Sequence, residues 1–491
     1  MNGLGSNAGR IVRWLPAAVA IAHAASLRGV VPVDDDFIVY RYARNLLEHG
    51  ELCFNAAAAP SDGVTTVGWL LLVLPAVALG VSPEWWSPLV GAAAFAACAA
   101  GTARAAARLA GSDGPGLGAG QLVALSPAAA WHAVAGLGTV LTALALAVCA
   151  ERGLAAFGSE AGAEDDERQR RGARRACGLA AAVAVILRPE VVCVVAGFAA
   201  SRNLRRAGTI APPLLAFVAL CAWRQMTFGH PLPAAASLKS LPLADELAYG
   251  WAYALRSLGE GGLAALLAAA SLCFLRDGPV RWIGMACAAG LSVTFLVGGD
   301  WMVYGRLFVP FLPLGVLGVL AWPALWKPAA ALLLGASVVG LGARPQAAFE
   351  NRFFERHWLA VGDALAARAP ADAAVALSPV GAIGWRSGLS IVDVLGLTHD
   401  AFAELDPDLE GVGVKGHHRH DGAWVLDQRP EYLLLGNARF QPDTGRVDIN
   451  PWEADIVADP RFAADYVTES FELEPGGARV PYARLRSAPR L

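Results

Sequence analysis

Three adjacent carboxylates, Asp34, Asp35 and Asp36, follow the first apolar stretch of the chain, with Arg41 and Arg44 within three turns after them. Carboxylates that crowd one another raise each other's pKa, which can hold one of them ready to accept a proton. The plainer alternative is a run that caps a solvated helix, where the dipole favours negative charge. A second pairing stands further along: Gly298-Gly299-Asp300-Trp301-Met302 closes one apolar run and Arg306 opens the next. An acid and an arginine at the mouths of consecutive spans are costly and often functional, although an interfacial salt bridge with Trp301 as belt aromatic would put the same residues there. Lys239 follows Pro231-Leu232-Pro233, and is either a surface lysine or part of the same outer face. Arg188 and Glu190 interrupt an apolar run and can pair with each other. Gly416-His417-His418-Arg419-His420 sets three histidines in four positions, which is not the spacing of a defined zinc site.

The elements that must position these groups follow from composition. Of 491 residues, 56% are apolar and 16% charged, against about 45–50% and about 25% in ordinary soluble proteins. The excess is uneven: residues 1–340 carry 24 basic and 20 acidic side chains, whereas 341–491 carry 15 and 22. The first part reads as membrane-embedded and the second as soluble. No strongly basic domain is present, so nucleic acid is excluded as a partner. Seven of the eight cysteines lie in or at the edge of apolar runs, only Cys53 sits in a polar loop, and no CxxC occurs. A disulfide framework and a zinc site are therefore unsupported.

Eleven apolar runs between 11–28 and 328–342 approach the ~20 residues that cross a bilayer as helix. The expected fold is a polytopic α-helical membrane protein of about 9–11 segments over 1–342, with an acidic outer loop at 29–63. A soluble extracytoplasmic α/β domain is expected at 343–491. Placing the Arg clusters at 10/13, 104/108, 168–175, 202–206 and 276/281 inside puts Asp34–Asp36, 131–139, 229–260, 298–306 and the tail outside. One step fails. Two runs, 64–81 and 87–108, separate Asp34 from Arg104, so either the first does not cross or the charge rule breaks at Arg104. Run 177–200, interrupted by Arg188-Pro189-Glu190, reads as a broken hairpin, tolerable where it is buried in protein or lines a cavity. Phe37, Tyr40, Arg44 and Leu47 fall at helical spacing and predict an amphipathic helix lying along the interface. In the tail, Phe349–Arg368 has helical spacing, while Ala373–Leu377, Ser390–Val394 and Glu431–Leu435 read as short strands.

A resemblance rests on a series of motifs in order. Asp34-Asp35-x-Phe37-Ile38-x-x-Arg41-Tyr42-Ala43-x-Asn45-Leu46, Phe54-Asn55 and Gly63-x-Thr65-x-x-Gly68-Trp69 come first. Ser126-Pro127 with Gly136-Leu137-Gly138-Thr139, Arg188-Pro189-Glu190, and Gly229-x-Pro231-Leu232-Pro233 with Lys239 follow. Gly298 to Met302 with Arg306, Gly381-Ala382-Ile383-Gly384 with Asp393-x-x-Gly396-Leu397, Gly416-His417 and Arg429-Pro430-Glu431-Tyr432 complete the series. This pattern resembles the GT-C membrane glycosyltransferases, in particular the terminal arabinofuranosyltransferases of mycobacterial cell walls and their bacterial homologues. The chain departs from that pattern at Gly138, where the family has Glu, at Ala234-Ala235 in place of Asn-Thr, and at Asp62 in place of Glu. An arabinan acceptor is accordingly not assigned.

The resemblance implies transfer of a pentose or hexose from a polyprenyl-phosphate carrier to an acceptor hydroxyl, with inversion. The acceptor would be a cell-envelope glycan, glycolipid or protein at the outer face of a bacterial cytoplasmic membrane, and the lipid bilayer itself would be a partner. Within it, Asp34 or Asp35 is the base, Asp34 favoured because the motif begins there. Arg306, Arg41 and Lys239, in that order, are expected to hold the phosphate, whose growing charge wants a guanidinium or ammonium. Asp300, Trp301, Arg44, His417 and His418 are expected to position substrate. Asp35 and Asp300 are also the candidates for a divalent cation (Mg, Mn or Ca), since some GT-C enzymes use one. A polyprenyl-linked sugar flippase and a non-catalytic membrane scaffold are the competing readings. A flippase would call for polar groups near mid-membrane and repeated halves, and neither is evident.

Overall fold

Alanine and leucine are the two commonest residues of the first 320 and favour helix, and proline and glycine decide where each helix starts and stops. Pro83 opens one helix at its first turn and Gly111, left-handed at φ 67°, ends it. The computed structural model describes the chain apart from residues 1–3, 57, 158–163, 323–325, 410, 441–444 and 476. In chain order the helices are α1 (Leu4–Ala25), α2 (Asp34–His49), α3 (Val67–Ala78), α4 (Pro83–Ala110), α5 (Asp113–Ala124), α6 (Pro127–Val134), α7 (Thr139–Ala155) and α8 (Glu164–Leu187). Then come α9 (Val194–Ala199), α10 (Ala207–Phe228), α11 (Ala234–Leu238), α12 (Leu243–Gly259), α13 (Leu263–Ser271), α14 (Arg281–Leu296), α15 (Leu312–Leu320) and α16 (Trp326–Arg368).

Among the described residues, α4 and α10 are long and apolar enough to cross a membrane. A third span results if α12 and Leu263–Leu275, which meet at 107°, count as one. Trp14–Ala25, Val67–Ala78, Pro189–Ala199, Arg281–Leu296 and Val309–Leu320 are apolar but shorter. The 9–11 segments expected from composition thus resolve differently, because an apolar run does not show where its helix breaks. The 12 residues of α3 rise only about 18 Å, short of the ~30 Å hydrocarbon core. That matches the option in which run 64–81 does not cross. Run 177–200 is broken as expected: α8 ends at Leu187, Arg188 is extended at φ −146°, and a 3₁₀ turn over Pro189–Cys193 leads into α9. Much of α10 faces outward, with Leu214, Leu215, Val218 and Met226 exposed. An apolar surface of this kind needs lipid or another protein against it.

The tail carries β1 (Ala374–Leu377), α17 (Val380–Ser387), β2 (Ser390–Asp393), α18 (Gly422–Asp427), β3 (Tyr432–Leu434), α19 (Ala454–Ala458), α20 (Pro460–Asp465), β4 (Tyr466–Glu472) and β5 (Arg479–Leu485). The sheet order is β2-β1-β3-β5-β4, with β2, β1 and β3 parallel and β5 antiparallel to both its neighbours. β1 to β3 match the three expected strands to within two residues at each end. The β4–β5 hairpin was not anticipated, since Pro481 within β5 argues against a strand. It is tolerated because β3 pairs only with Ala483 and Arg484, beyond the proline. The division expected at 342/343 falls inside α16, a continuous helix of 43 residues.

Helix α2 differs from the interfacial helix expected. Phe37, Ile38, Tyr40, Arg41 and Tyr42 are all buried, because α17 of the tail packs on one side and α3 on another. That placement decides what its charged residues can do.

Candidate active site

Successive residues on a helix point about 100° apart, and the acidic trio at the start of α2 faces three environments. Asp34 accepts the backbone N–H of Gly381 at 3.0 Å and of Ala382 at 2.7 Å, at the N-terminus of α17, where free amides and the dipole suit an anion. Gly381 has to be glycine there, since a Cβ would stand 1.9 Å from the Asp34 carbonyl oxygen. Burial pushes the Asp34 carboxyl up to about 7 against the pull of those two amides. Asp36 accepts Tyr40 Oη–H and Trp69 Nε1–H, each at 2.5 Å, and the Leu137 N–H at 3.1 Å. Burial pushes its carboxyl up to about 6. Of the three, only Asp35 lines a cavity, and its carboxylate has no hydrogen-bond or ion-pair partner among the described residues.

That cavity holds about 450 Å³. Its walls come from the start of α2, the loop before α3, the break after α8, the α11 segment and the two residues Asp300 and Arg306, with Leu397 and Lys415 contributed by the tail. Asp300 and Arg306 form an ion pair whose side chains are 5% and 13% exposed. Burial alone would raise the Asp300 carboxyl, but Arg306 and Lys239 hold it down at about 2. Burial also works against the Arg306 charge, yet Asp300 and Asp35 more than offset it and raise its pKa. Arg306 Nε is buried with no partner. The Lys239 ammonium, also on the cavity wall, has none among the described residues. Arg188 Nε meets Glu190 Oε1 at 2.6 Å and Arg188 Nη1 reaches Thr139 Oγ1 at 3.4 Å, so the pairing foreseen for these two occurs on the cavity wall.

Arginines from elsewhere pin the loops. Arg256 of α12 donates to the carbonyls of Asp300, Trp301 and Met302 at 2.8, 3.2 and 2.7 Å. Arg224 of α10 donates to Asp62 Oδ2 at 3.0 Å and Val64 O at 2.8 Å, fixing the loop before α3. Charged groups spent on backbone in this way position the cavity without facing it.

Four residues expected at the site thus meet in one cavity: Asp35, Lys239, Asp300 and Arg306. The others lie elsewhere. Asp34 is taken up by α17, as described. Arg41 is only 2% exposed and spends its guanidinium on Phe54 O, Gly384 O, Leu389 O and Asn55 Oδ1, at 2.6 to 2.9 Å. Each of its three nitrogens is thus engaged by the protein, and Arg41 does not line the cavity. Arg44 lies over the Trp385 ring at 4.6 Å and bonds its carbonyl. His417 packs against Trp452 with the rings tilted by 40°, His418 Nε2 meets Tyr249 Oη at 3.1 Å, and Trp301 is not part of the cavity lining. The donor set does not fit a resident divalent cation. Among the described residues no three His, Cys, Asp or Glu converge, and the Asp300 carboxylate is committed to Arg306. Sequence reasoning missed Glu246 and Lys415, which pair at 2.5 Å on the cavity wall. The one signal for Lys415 was its place beside the Gly416-His417 motif.

No curated protein sequence matches the chain. A domain of unknown function (DUF8728) matches residues 346–481, most of the tail. Among solved structures, ArnT from Cupriavidus metallidurans in the apo state superposes with a TM-score of 0.56 at 14% identity, covering 99% of this chain and 100% of that one. The same protein bound to undecaprenyl phosphate gives 0.54 at 14% identity, with 97% and 99% covered. The Archaeoglobus fulgidus oligosaccharyltransferase tethered to an acceptor peptide gives 0.54 at 10% identity, covering 96% of this chain and 74% of that one. The chain has the GT-C fold of these membrane glycosyltransferases.

Proposed function

We propose that the chain is a multi-pass inner-membrane glycosyltransferase that moves a sugar from a polyprenyl-phosphate carrier to an acceptor hydroxyl in the cavity. One observation carries this reading. Among the described residues, a carboxylate and an ammonium with no hydrogen-bond or ion-pair partner, Asp35 and Lys239, share a cavity with a guanidinium whose buried Nε is also without one, Arg306. Asp35 takes the hydroxyl proton as the acceptor oxygen bonds to the anomeric carbon on the face opposite the leaving group. The bond to the phosphate oxygen breaks, and the carrier departs with its electron pair as a phosphate monoester. Arg306 and Lys239 take up the charge that develops on it. Asp300 orients Arg306 and keeps that guanidinium from lying buried alone. Asp34, the favoured base, and Arg41, the second candidate for the phosphate, become docking residues in this scheme. The exposed apolar face of α10 and the undecaprenyl phosphate bound to an ArnT of the same fold both support a lipid-linked donor. The acceptor is a glycan, glycolipid or protein of the cell envelope, reached at the outer face of the membrane.

The test is an assay of the purified chain in nanodiscs with synthetic polyprenyl-phosphoryl sugars and candidate acceptors. Sugar transfer with release of polyprenyl phosphate is expected. In proteoliposomes, translocation of the lipid-linked sugar without transfer would favour a flippase, and neither activity would favour a scaffold.

A further inference from the structure

The segment that carries Lys239 is held from the tail. Arg419 Nη1 donates to Leu238 O and Ser240 O, both at 2.7 Å, and Lys415 Nζ donates to Lys239 O at 2.6 Å. Each clamp is itself fixed: Arg419 Nε by Leu405 O at 2.6 Å, and Lys415 Nζ by Glu246 Oε2 at 2.5 Å. Glu246 Oε1 accepts the Leu241 N–H at 2.8 Å, so successive peptide groups from 238 to 241 are all engaged. Between the two cations lies Gly416, at φ +92°, against the stem of Lys239. A Cβ there would stand 3.2 Å from Cγ, Cδ and Cε of that lysine.

Cations at the last carbonyls of a helix are common. Here, however, α11 has only five residues, too few to hold a side-chain direction by its own hydrogen bonds. Both clamping cations come from a tail loop 176 to 181 residues away, and the residue between the clamps carries the cavity ammonium that has no hydrogen-bond or ion-pair partner among the described residues. An unpaired, mobile lysine would lose rotamer freedom on meeting a ligand, and a stem braced beforehand has less to lose.

We infer that tail loop 415–419 is a positioning device for Lys239, so that the phosphate site is completed only when the tail is docked. Lys415, Gly416 and Arg419 act through Lys239. This rests on reading the cavity as the carrier-phosphate site.

The test uses the full chain in nanodiscs titrated with synthetic polyprenyl phosphate, in a double-mutant cycle. Arg419→Gln removes two charge-assisted bonds and is expected to weaken binding about tenfold, with partial recovery in Arg419→Lys. Gly416→Ala, which crowds the lysine stem, should weaken binding in the same direction. In a Lys239→Gln background, Arg419→Gln should change the affinity no further, because its effect is routed through the missing ammonium. Equal weakening by Arg419→Gln with and without Lys239 would overturn the inference, as would unchanged affinity in both Arg419→Gln and Gly416→Ala. If the wild-type chain binds no polyprenyl phosphate, the phosphate reading of the cavity fails first and this inference falls with it.

Discussion

At the joint between α2 and α17, Asp34 and Arg41 meet backbone groups of the tail, and both carboxylate oxygens and all three guanidinium nitrogens are engaged. In the cavity next to it, Asp35 and Lys239 have no hydrogen-bond or ion-pair partner among the described residues, and Arg306 Nε is buried without one. Both regions are clusters of acidic and basic side chains, and both draw on the same series of motifs. They differ in how completely the protein itself satisfies them. A buried charge whose polar atoms are all engaged is a fastener, whereas charges that line a cavity without such partners imply a ligand.

Breaking the joint is expected to have the largest effect on structure. Arg41→Met leaves the carbonyls of Phe54, Gly384 and Leu389 without their charged donor, at about 1.5–3 kcal/mol for each such bond. Limited proteolysis should show the tail released, and donor binding should fall with it. A tail as protected as in the wild type would break the comparison from the joint side.

On the cavity side, Arg306→Gln should reduce affinity for a polyprenyl-phosphoryl donor by roughly tenfold or more. The loss should persist when Asp300 is also neutralised to Asn, and Arg306→Lys should restore only part of it, since the planar fork is absent. Unchanged donor affinity in the double mutant would make Arg306 a fastener of the same kind as Arg41.

The pH response sharpens the contrast by a smaller amount. Burial raises the Asp34 carboxyl from its ordinary 3.8 to about 7, with Asp35 and Asp393 adding to the shift and the Gly381 and Ala382 amides opposing it. Burial likewise raises Glu355 on α16 to about 8, with Asp34 and Asp35 among the charges that add to its shift. The folded state then binds the extra protons, so the stabilisation is complete below about pH 4 and is lost as pH rises through about 7 to 8. Thermal stability of the tail should therefore fall between pH 5 and 8, and Asp34→Asn should flatten the profile by on the order of one to a few kcal/mol. A wild-type profile rising over that interval would contradict this account of the joint. Smallest of all, Trp301→Ala, His417→Ala and Arg44→Ala should each change turnover by less than about threefold, an effect of surface or packing size.

What the sequence made legible follows the range of each interaction. β1 and β3 were readable because Val375–Leu377 and Tyr432–Leu434 are short, wholly buried apolar runs. β5 was hidden by Pro481, which only the limited reach of β3 makes harmless. The meeting of Asp35, Lys239, Asp300 and Arg306 followed from charges placed at the ends of apolar runs. The choice between Asp34 and Asp35 did not, because it depends on Gly381, 347 residues further on. Arg41 likewise finds Gly384 across 343 residues, and Lys415 finds Glu246 across 169. A local motif shows that a charge is present but not which distant backbone already holds it.

The most direct measurement is single-turnover transfer from a synthetic polyprenyl-phosphoryl sugar by Asp35→Asn and Asp34→Asn, with donor affinity and tail protection recorded on the same samples. Removing a general base slows turnover by typically 10²–10⁴-fold. That loss is expected in Asp35→Asn with donor binding and the docked tail intact, while Asp34→Asn stays within several-fold of the wild type wherever its tail remains docked. Full turnover in Asp35→Asn, together with collapse in a properly docked Asp34→Asn, would contradict the account.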